Sequence, residues 1–212
     1  MKICHFSDWH GTWQQLPAAD LYICTGDMYP DDPGGSWSMI NSVKSSRHQR
    51  EWSASHPLRE SLGNPDAQVI CVRGNHDFTD LTPLFGGPCH ELGMNAGGIF
   101  VYEDIRISGF RGIPYIGCGW SDELRHPDLV SLVEGIPDDI DVLVTHGPPA
   151  GILDNTYGCK AMAAYYNKFQ YSGKNPPKYH LFGHIHEEGG QAETHGTTTF
   201  MNSAATYQVI DL

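Results

Sequence analysis

Lys2-Ile3-Cys4-His5-Phe6-Ser7-Asp8-Trp9-His10-Gly11 begins as an apolar run and ends on an acidic residue and a histidine two positions apart. The run is short and largely apolar, which suits a β-strand buried on both faces. The residues after it are mostly polar and end on a glycine, so the chain turns there. The same pattern recurs four times. Residues 21–25 (LYICT) lead into Gly26-Asp27, and residues 68–73 (QVICVR) into Gly74-Asn75-His76-Asp77. Residues 141–145 (DVLVT) lead into His146-Gly147-Pro148-Pro149, and Tyr179–Phe182 (YHLF) into Gly183-His184-Ile185-His186. Each run is rich in β-branched or aromatic residues and stops at a Gly, Asp or Pro signal.

Ligands bind beyond the carboxyl ends of strands in open α/β sheets. Here all five carboxyl ends present Asp, Asn or His, and strands lying side by side would bring them to one rim. Taken singly the motifs are weak: Gly-Asp is a common turn dipeptide, and Asp8-Trp9-His10 alone could be a capped loop. Their joint order after five strands is what points to a site. Carboxylate, amide oxygen and neutral imidazole form a donor set for Mn, Fe, Zn, Co or Ni, harder than the thiolate sets of structural zinc. The donors are too many for one tetrahedral ion and suit two divalent metal ions sharing a bridging carboxylate.

Around these runs the remaining elements fall into place. Residues 99–102 and 105–109 flank a turn at Glu103-Asp104, and residues 197–202 and 207–210 form a closing strand pair. Helices are expected within residues 36–62, where Trp37, Ile40, Val43 and Trp52 are spread along a polar segment, and over residues 122–134 and 158–170. Alternating strands and helices followed by antiparallel strands indicate a layered α/β fold. A length of 212 residues suits a single domain over residues 1–212.

The formal net charge is −12, which argues against strong nucleic-acid binding driven by Lys and Arg. It leaves a phosphorylated small substrate open, because bound cations reverse the local sign. No stretch is long and apolar enough for a membrane helix, and the amino terminus lacks the signature of a signal peptide. A cytoplasmic protein is expected. Six cysteines without a Cys-x-x-Cys pair are read as free thiols, three of them inside apolar runs.

The ordered set Asp-x-His, Gly-Asp, Gly-Asn-His-Asp, His and Gly-His-x-His, spanning Asp8 to His186, resembles the signature of the calcineurin-like metallophosphoesterases. Asp141-Val-Leu-Val-Thr-His146-Gly-Pro-Pro149, Leu181-Phe-Gly-His-Ile-His-Glu187 and Gly196-Thr-Thr-Thr199 resemble the branch called metallophosphoesterase domain-containing proteins, which includes cyclic-nucleotide phosphodiesterases. The resemblance implies a four-layer α/β/β/α sandwich of two mixed sheets. It implies one metal on Asp8, His10, Asp27 and His186, and another on Asp27, Asn75, His146 and His184, with Asp27 bridging. Manganese is the favoured ion. Asn75 and His76 are the catalytic pair, His76 binding no metal and serving as general acid while water activated between the two ions attacks phosphorus. Small phosphodiesters, cyclic nucleotides among them, are the expected substrates, and an oligomer is open. A phosphomonoesterase, a nuclease, or a protein-binding scaffold with a relict site are the rival readings; no candidate ligand is missing, which disfavours the last.

This chain departs from the family's protein phosphatases. They place a further Asp three residues after Gly-Asp and then an Arg, whereas Asp27 is followed by Met28-Tyr29-Pro30 and the next arginine is Arg47. Asp31 and Asp32 do not match that spacing. The nuclease branch usually adds a DNA-binding or capping region, for which 212 residues leave no room. Among the other residues near the motifs, Asp77 is read as the cap of a following helix. Arg73 could steer a phosphate or form a structural ion pair. Trp9, Trp13 and Tyr29 could stack on a base or pack in the core, and Phe110, Arg111 and Tyr115 could line the cleft. His5 and His180, inside strands, are read as satisfied by neighbours.

Overall fold

A computed structural model describes residues 1–31 and 42–212. Two mixed sheets lie face to face. The first contains β1 (Lys2–Phe6), β2 (Leu21–Cys24), β3 (Gln68–Val72), β4 (Cys89–Leu92) and β13 (Tyr207–Asp211), in the order β13-β1-β2-β3-β4. The second contains β5 (Phe100–Tyr102), β6 (Ile105–Phe110), β9 (Val142–Thr145), β10 (Tyr179–Phe182), β11 (Ala192–His195) and β12 (Thr198–Asn202), in the order β11-β12-β10-β9-β6-β5. Within each sheet the central pairs are parallel and the antiparallel strands lie at edges: β13 in the first, β11 and β5 in the second. A small third pair joins β7 (Ile113–Pro114) to β8 (Glu123–Leu124).

The period-two alternation of each central strand feeds two cores. Ile3, Leu21, Ile23, Ile70 and Val72 point inward against Ile107, Val142, Val144, Leu181 and Met201 of the opposing sheet. Cys4, Phe6, Tyr22, Cys24, Val69 and Cys71 point outward into a second core with Trp9, Tyr29, Leu58 and Phe85. On the far side of the second sheet, α3 (His126–Glu134) and α4 (Lys160–Ser172) cover Phe110 and Leu143. Strands buried on both faces read as near-continuous apolar runs for this reason, and the layers are helix, sheet, sheet, helix.

The helices differ in extent from the sequence reading. Within residues 36–62 the described helix is α1 (Ser42–Ser53), followed by a 3-10 turn at Arg59–Ser61. Pro57 lies in between, where it cannot continue a helical ladder. Asp32, Trp37 and Ile40 lie outside the described residues. The expected helix over 122–134 begins only at His126, because Asp122 has φ 54° and residues 123–124 form β8; Pro127 occupies the first turn, where its missing N–H costs nothing. The helix expected over 158–170 runs two residues later, and Gly173 at φ 68° ends it in the left-handed conformation that suits glycine. Two edge strands escaped the pattern reading. Cys89–Leu92 carries His and Glu, and Ala192–His195 is exposed throughout, so neither alternates.

All six cysteines are free. Among the described residues no helix is long and apolar enough to cross a membrane.

Candidate metal centre

The loops after β1, β2 and β3 in one sheet meet those after β9 and β10 in the other. Contacts between the sheets fix this rim. The His184 N–H donates to Asp8 Oδ2 at 2.9 Å, and His146 Nδ1 lies 2.6 Å from the Thr25 carbonyl oxygen; within the second sheet the Gly183 N–H donates to the His146 carbonyl at 2.8 Å. Two triads of ligand atoms result, each within 4.8 Å: Asp8, His10 and His186, and Asp27, His146 and His184. Asn75 joins the second, its Oδ1 3.0 Å from His146 Nε2. All seven residues singled out as ligands therefore stand together, with His76 beside them. His10 also forms a third cluster with Asp31 and His76.

Local backbone geometry is unusual here. Asp8, His10, Asp27 and His184 all have positive φ, between 43° and 70°. Each such residue costs on the order of 1 kcal/mol relative to the right-handed region, and clustering of that strain marks a functional site. Gly11 and Gly26 turn at φ 83° and 100°, which glycine adopts freely, whereas Gly74 and Gly183 are explained by crowding rather than by φ. A Cβ on Gly74 would sit 2.1 Å from Asp27 Oδ1, and one on Gly183 would sit 2.1 Å from Asp8 Oδ2.

The donors fit divalent ions. His146 Nδ1–H donates to the Thr25 carbonyl, which fixes the tautomer and aims the Nε2 lone pair into the site. There Nε2 meets two further acceptors, Asn75 Oδ1 at 3.0 Å and Asp27 Oδ2 at 3.3 Å. Burial pulls the His146 imidazole down, but the Asp27 charge outweighs it and carries its pKa to about 10. Burial should raise the Asp27 carboxyl, yet His146 and His76 hold it well below its usual range. Asp8 behaves alike: burial raises it, the His186 hydrogen bond at 3.2 Å opposes, and the net is low. His184 is pushed to about 4 by burial and by His146, so it stays neutral. Buried carboxylates, a neutral imidazole and an amide oxygen converging, with no Lys or Arg among the described residues lining the cavity, make a cation site.

His76 is held differently. Asp31 Oδ1 lies 2.5 Å from His76 Nδ1, and the Trp120 ring stacks on the imidazole at 3.8 Å. Its Nε2 is 4.0 Å from Asp27 Oδ2. Burial lowers the His76 pKa, but Asp27 and the Asp31 hydrogen bond more than offset it. The backbone under it is pinned by Gln49 of α1, which donates to the His76 carbonyl at 2.6 Å and accepts from the Phe78 N–H at 2.7 Å.

Some sequence readings are corrected, and others are resolved to one of their alternatives or upheld. Asp77 caps no helix; the next one, α2, is Thr82–Phe85. Its buried carboxylate accepts the N–H groups of Asp27, Met28, Tyr29 and Gly74 at 2.7–3.1 Å, tying the loop after β2 to the loop after β3. Asp31, set aside on spacing, is the partner of His76. Trp9 and Tyr29 are core residues, and Trp13 packs on Trp9 and Trp52. Arg73 pairs with Glu91 at 2.9 Å, and Arg111 lies between Glu91 and Asp122. Phe110 is buried and Tyr115 lies outside the cavity lining; Ile116 and Trp120 line it instead. His5 bridges Thr25 and Ser203, and His180 bonds Thr145. Trp120 and Gln49 carried no signal in the sequence, since neither adjoins a motif.

A family profile described as calcineurin-like phosphoesterase matches residues 1–188, and the chain belongs to that family. Members share metal-dependent hydrolysis of phosphate esters on a dinuclear site. Among curated proteins, a UPF0046 protein of Caenorhabditis elegans is 37% identical over 66% of this chain and 52% of its own length. Human metallophosphoesterase domain-containing protein 1 is 35% identical over 48% of this chain and 33% of its own. The chain thus spans about half or less of the length of these relatives. A solved structure from Staphylococcus aureus, assigned as a 5′-nucleotidase, covers 99% of this chain and 50% of its own, with a TM-score of 0.53 and 14% identity. That likeness concerns the fold.

Proposed function

We propose that this chain is a dinuclear-metal phosphodiesterase acting on small diesters, cyclic nucleotides among them. The observation that carries the reading is the pair of triads on one rim with His76 beside them, held by Asp31. Asp8, His10, Asp27 and His186 would hold one ion, and Asp27, Asn75, His146 and His184 the other, manganese being the favoured metal. Two such ions, when bound, supply Lewis acidity toward the phosphoryl oxygens and lower the pKa of bound water.

The chain's own residues do the rest. Asn75 offers its oxygen to the metal side and its amide N–H to a phosphoryl oxygen. His76 donates its Nε2 proton to the leaving oxygen. Asp31 accepts from Nδ1–H throughout, so the imidazole keeps one orientation and one tautomer as the proton leaves. The cavity, about 470 Å³, has no Lys or Arg among its described lining residues, which include the exposed carboxylates of Asp31 and Glu187. A monoester dianion would need cationic help beyond the metals; a diester monoanion needs less. The net charge of −12 further disfavours a polyanionic polymer.

The test compares kcat/KM for bis(4-nitrophenyl) phosphate and 4-nitrophenyl phosphate with Mn²⁺, alongside 3′,5′- and 2′,3′-cyclic nucleotides and duplex DNA. The diester should be preferred. A monoester preference, or cleavage of DNA without activity on small diesters, would overturn the substrate class.

A further inference from the structure

Residues 115–121 form a loop between β7 and β8 whose shape is set before any substrate arrives. The Glu123 carboxylate accepts three of its N–H groups, from Gly117, Cys118 and Trp120, at 3.0–3.2 Å. Gly117 and Gly119 turn it at φ 80° and 78°, which glycine adopts freely. At its far end the Ser121 N–H donates to the Asn75 carbonyl at 2.9 Å. The loop is therefore tied to the same segment that carries Asn75 and His76.

It presents two apolar side chains to the cavity. Trp120 lies on the His76 ring, and Ile116 is 48% exposed. The other described residues lining it are polar, with Asp31 and Glu187 beside the candidate ligands His10, Asp27, Asn75, His184 and His186. Among the described lining residues, Ile116 and Trp120 are thus the apolar ones, set in an otherwise polar and acidic cavity. Through Trp120 they adjoin His76, whose Nε2 faces the leaving oxygen in the proposed reaction.

We propose that Ile116 and Trp120 form a specificity wall that receives a planar aromatic substituent on the leaving oxygen, so that aryl or heteroaryl diesters are cleaved in preference to aliphatic ones. The inference rests on the reading of His76 as the group that protonates the leaving oxygen. Three features support an aromatic occupant. Aromatic rings contact a flat indole over a large area without charge. The rim carboxylates would repel an anionic substituent, and a rigid loop selects shape without having to reorganise first.

Two esters isolate the effect: methyl phenyl phosphate and methyl hexafluoroisopropyl phosphate, whose leaving alcohols have similar acidity and differ in planarity. The readout is the ratio of kcat/KM values, aryl over alkyl, for the Mn²⁺-loaded protein. The native protein should favour the aryl ester. Ile116→Ala, a surface change distant from the cores, should lower the ratio roughly three- to tenfold, chiefly through KM, the usual range for trimming an apolar pocket. Trp120→Ala should lower it further, and Trp120→Phe should restore most of it. An unchanged ratio in Ile116→Ala and Trp120→Ala would overturn the proposal. So would an equal loss on both esters, which would mean that Trp120 acts on His76 alone. No turnover of either ester by the native protein would instead overturn the diesterase reading beneath it.

Discussion

Replacing Gly74 by alanine adds one methyl group where the loop after β3 abuts Asp27 and His146. The new Cβ would lie 2.1 Å from Asp27 Oδ1, 2.6 Å from Asp27 Cγ and 2.5 Å from His146 Cε1, where 3.4 Å is an ordinary contact. Neither neighbour can yield cheaply. Asp27 and His146 are buried, Asp27 Oδ1 accepts the His76 N–H at 2.7 Å, and His146 Nδ1 is bonded to Thr25. The groups must part by about 1 Å, and displacement on that scale at a reacting centre costs on the order of 100-fold in rate. Overpacking should also cost about 1–3 kcal/mol of stability. The assay is elemental analysis after exchange into Mn²⁺, with kcat/KM on bis(4-nitrophenyl) phosphate and a melt in EDTA to separate folding from metal. Gly93→Ala is the control, because its Cβ would meet nothing within 4 Å. Wild-type metal content and kcat/KM in Gly74→Ala would refute the claim that Asp27 and His146 must sit where the structure puts them.

Asp77→Ala strands four buried N–H groups and should cost roughly 3–5 kcal/mol in urea melts, loosening both loops; a loss under about 1 kcal/mol would mean that water replaces the carboxylate. Asp31→Asn should slow alkyl diesters about tenfold more than nitrophenyl ones, since a good leaving group needs less protonation. Equal losses would detach Asp31 from proton transfer. Acid should weaken the fold through His5 and His180, whose burial lowers each pKa from 6.5 to about 3. An unfolded histidine protonates below 6.5 and the folded one does not, so stability is intact above 6.5 and falls as pH drops toward 3. The loss should be about 2 kcal/mol per histidine near pH 5. His180→Gln should remove its share of that slope; an unchanged slope would show that His180 takes up its proton in the folded state.

The five central strands were legible because burial on both faces leaves a continuous apolar run, and the rim was legible because each run stops on a ligand-type residue. Ile3 and Phe6 feed different cores yet are both apolar. Edge strands such as Ala192–His195 bury nothing and leave no pattern. Helix ends depended on backbone details, such as the left-handed Asp122 and Gly173, that composition does not announce. Within the site, spacing suggested where Asp8, His10, Asp27, Asn75, His146, His184 and His186 converge. It could not find Asp31, which reaches His76 across 45 positions, or Trp120, which reaches it from a loop of the small third sheet. Asp77 looked like a helix cap because Asp after a turn often is one; here its four donors come from two loops.

The central claim is that two ions share Asp27. Crystals grown with Mn²⁺ and measured for anomalous scattering test it most directly. Two peaks are predicted, one among Asp8, His10 and His186 and one among Asn75, His146 and His184, with the Asp27 carboxylate between them. A single peak, or a peak seated among His10, Asp31 and His76 instead, would contradict the account, because His76 would then be a ligand rather than the proton donor.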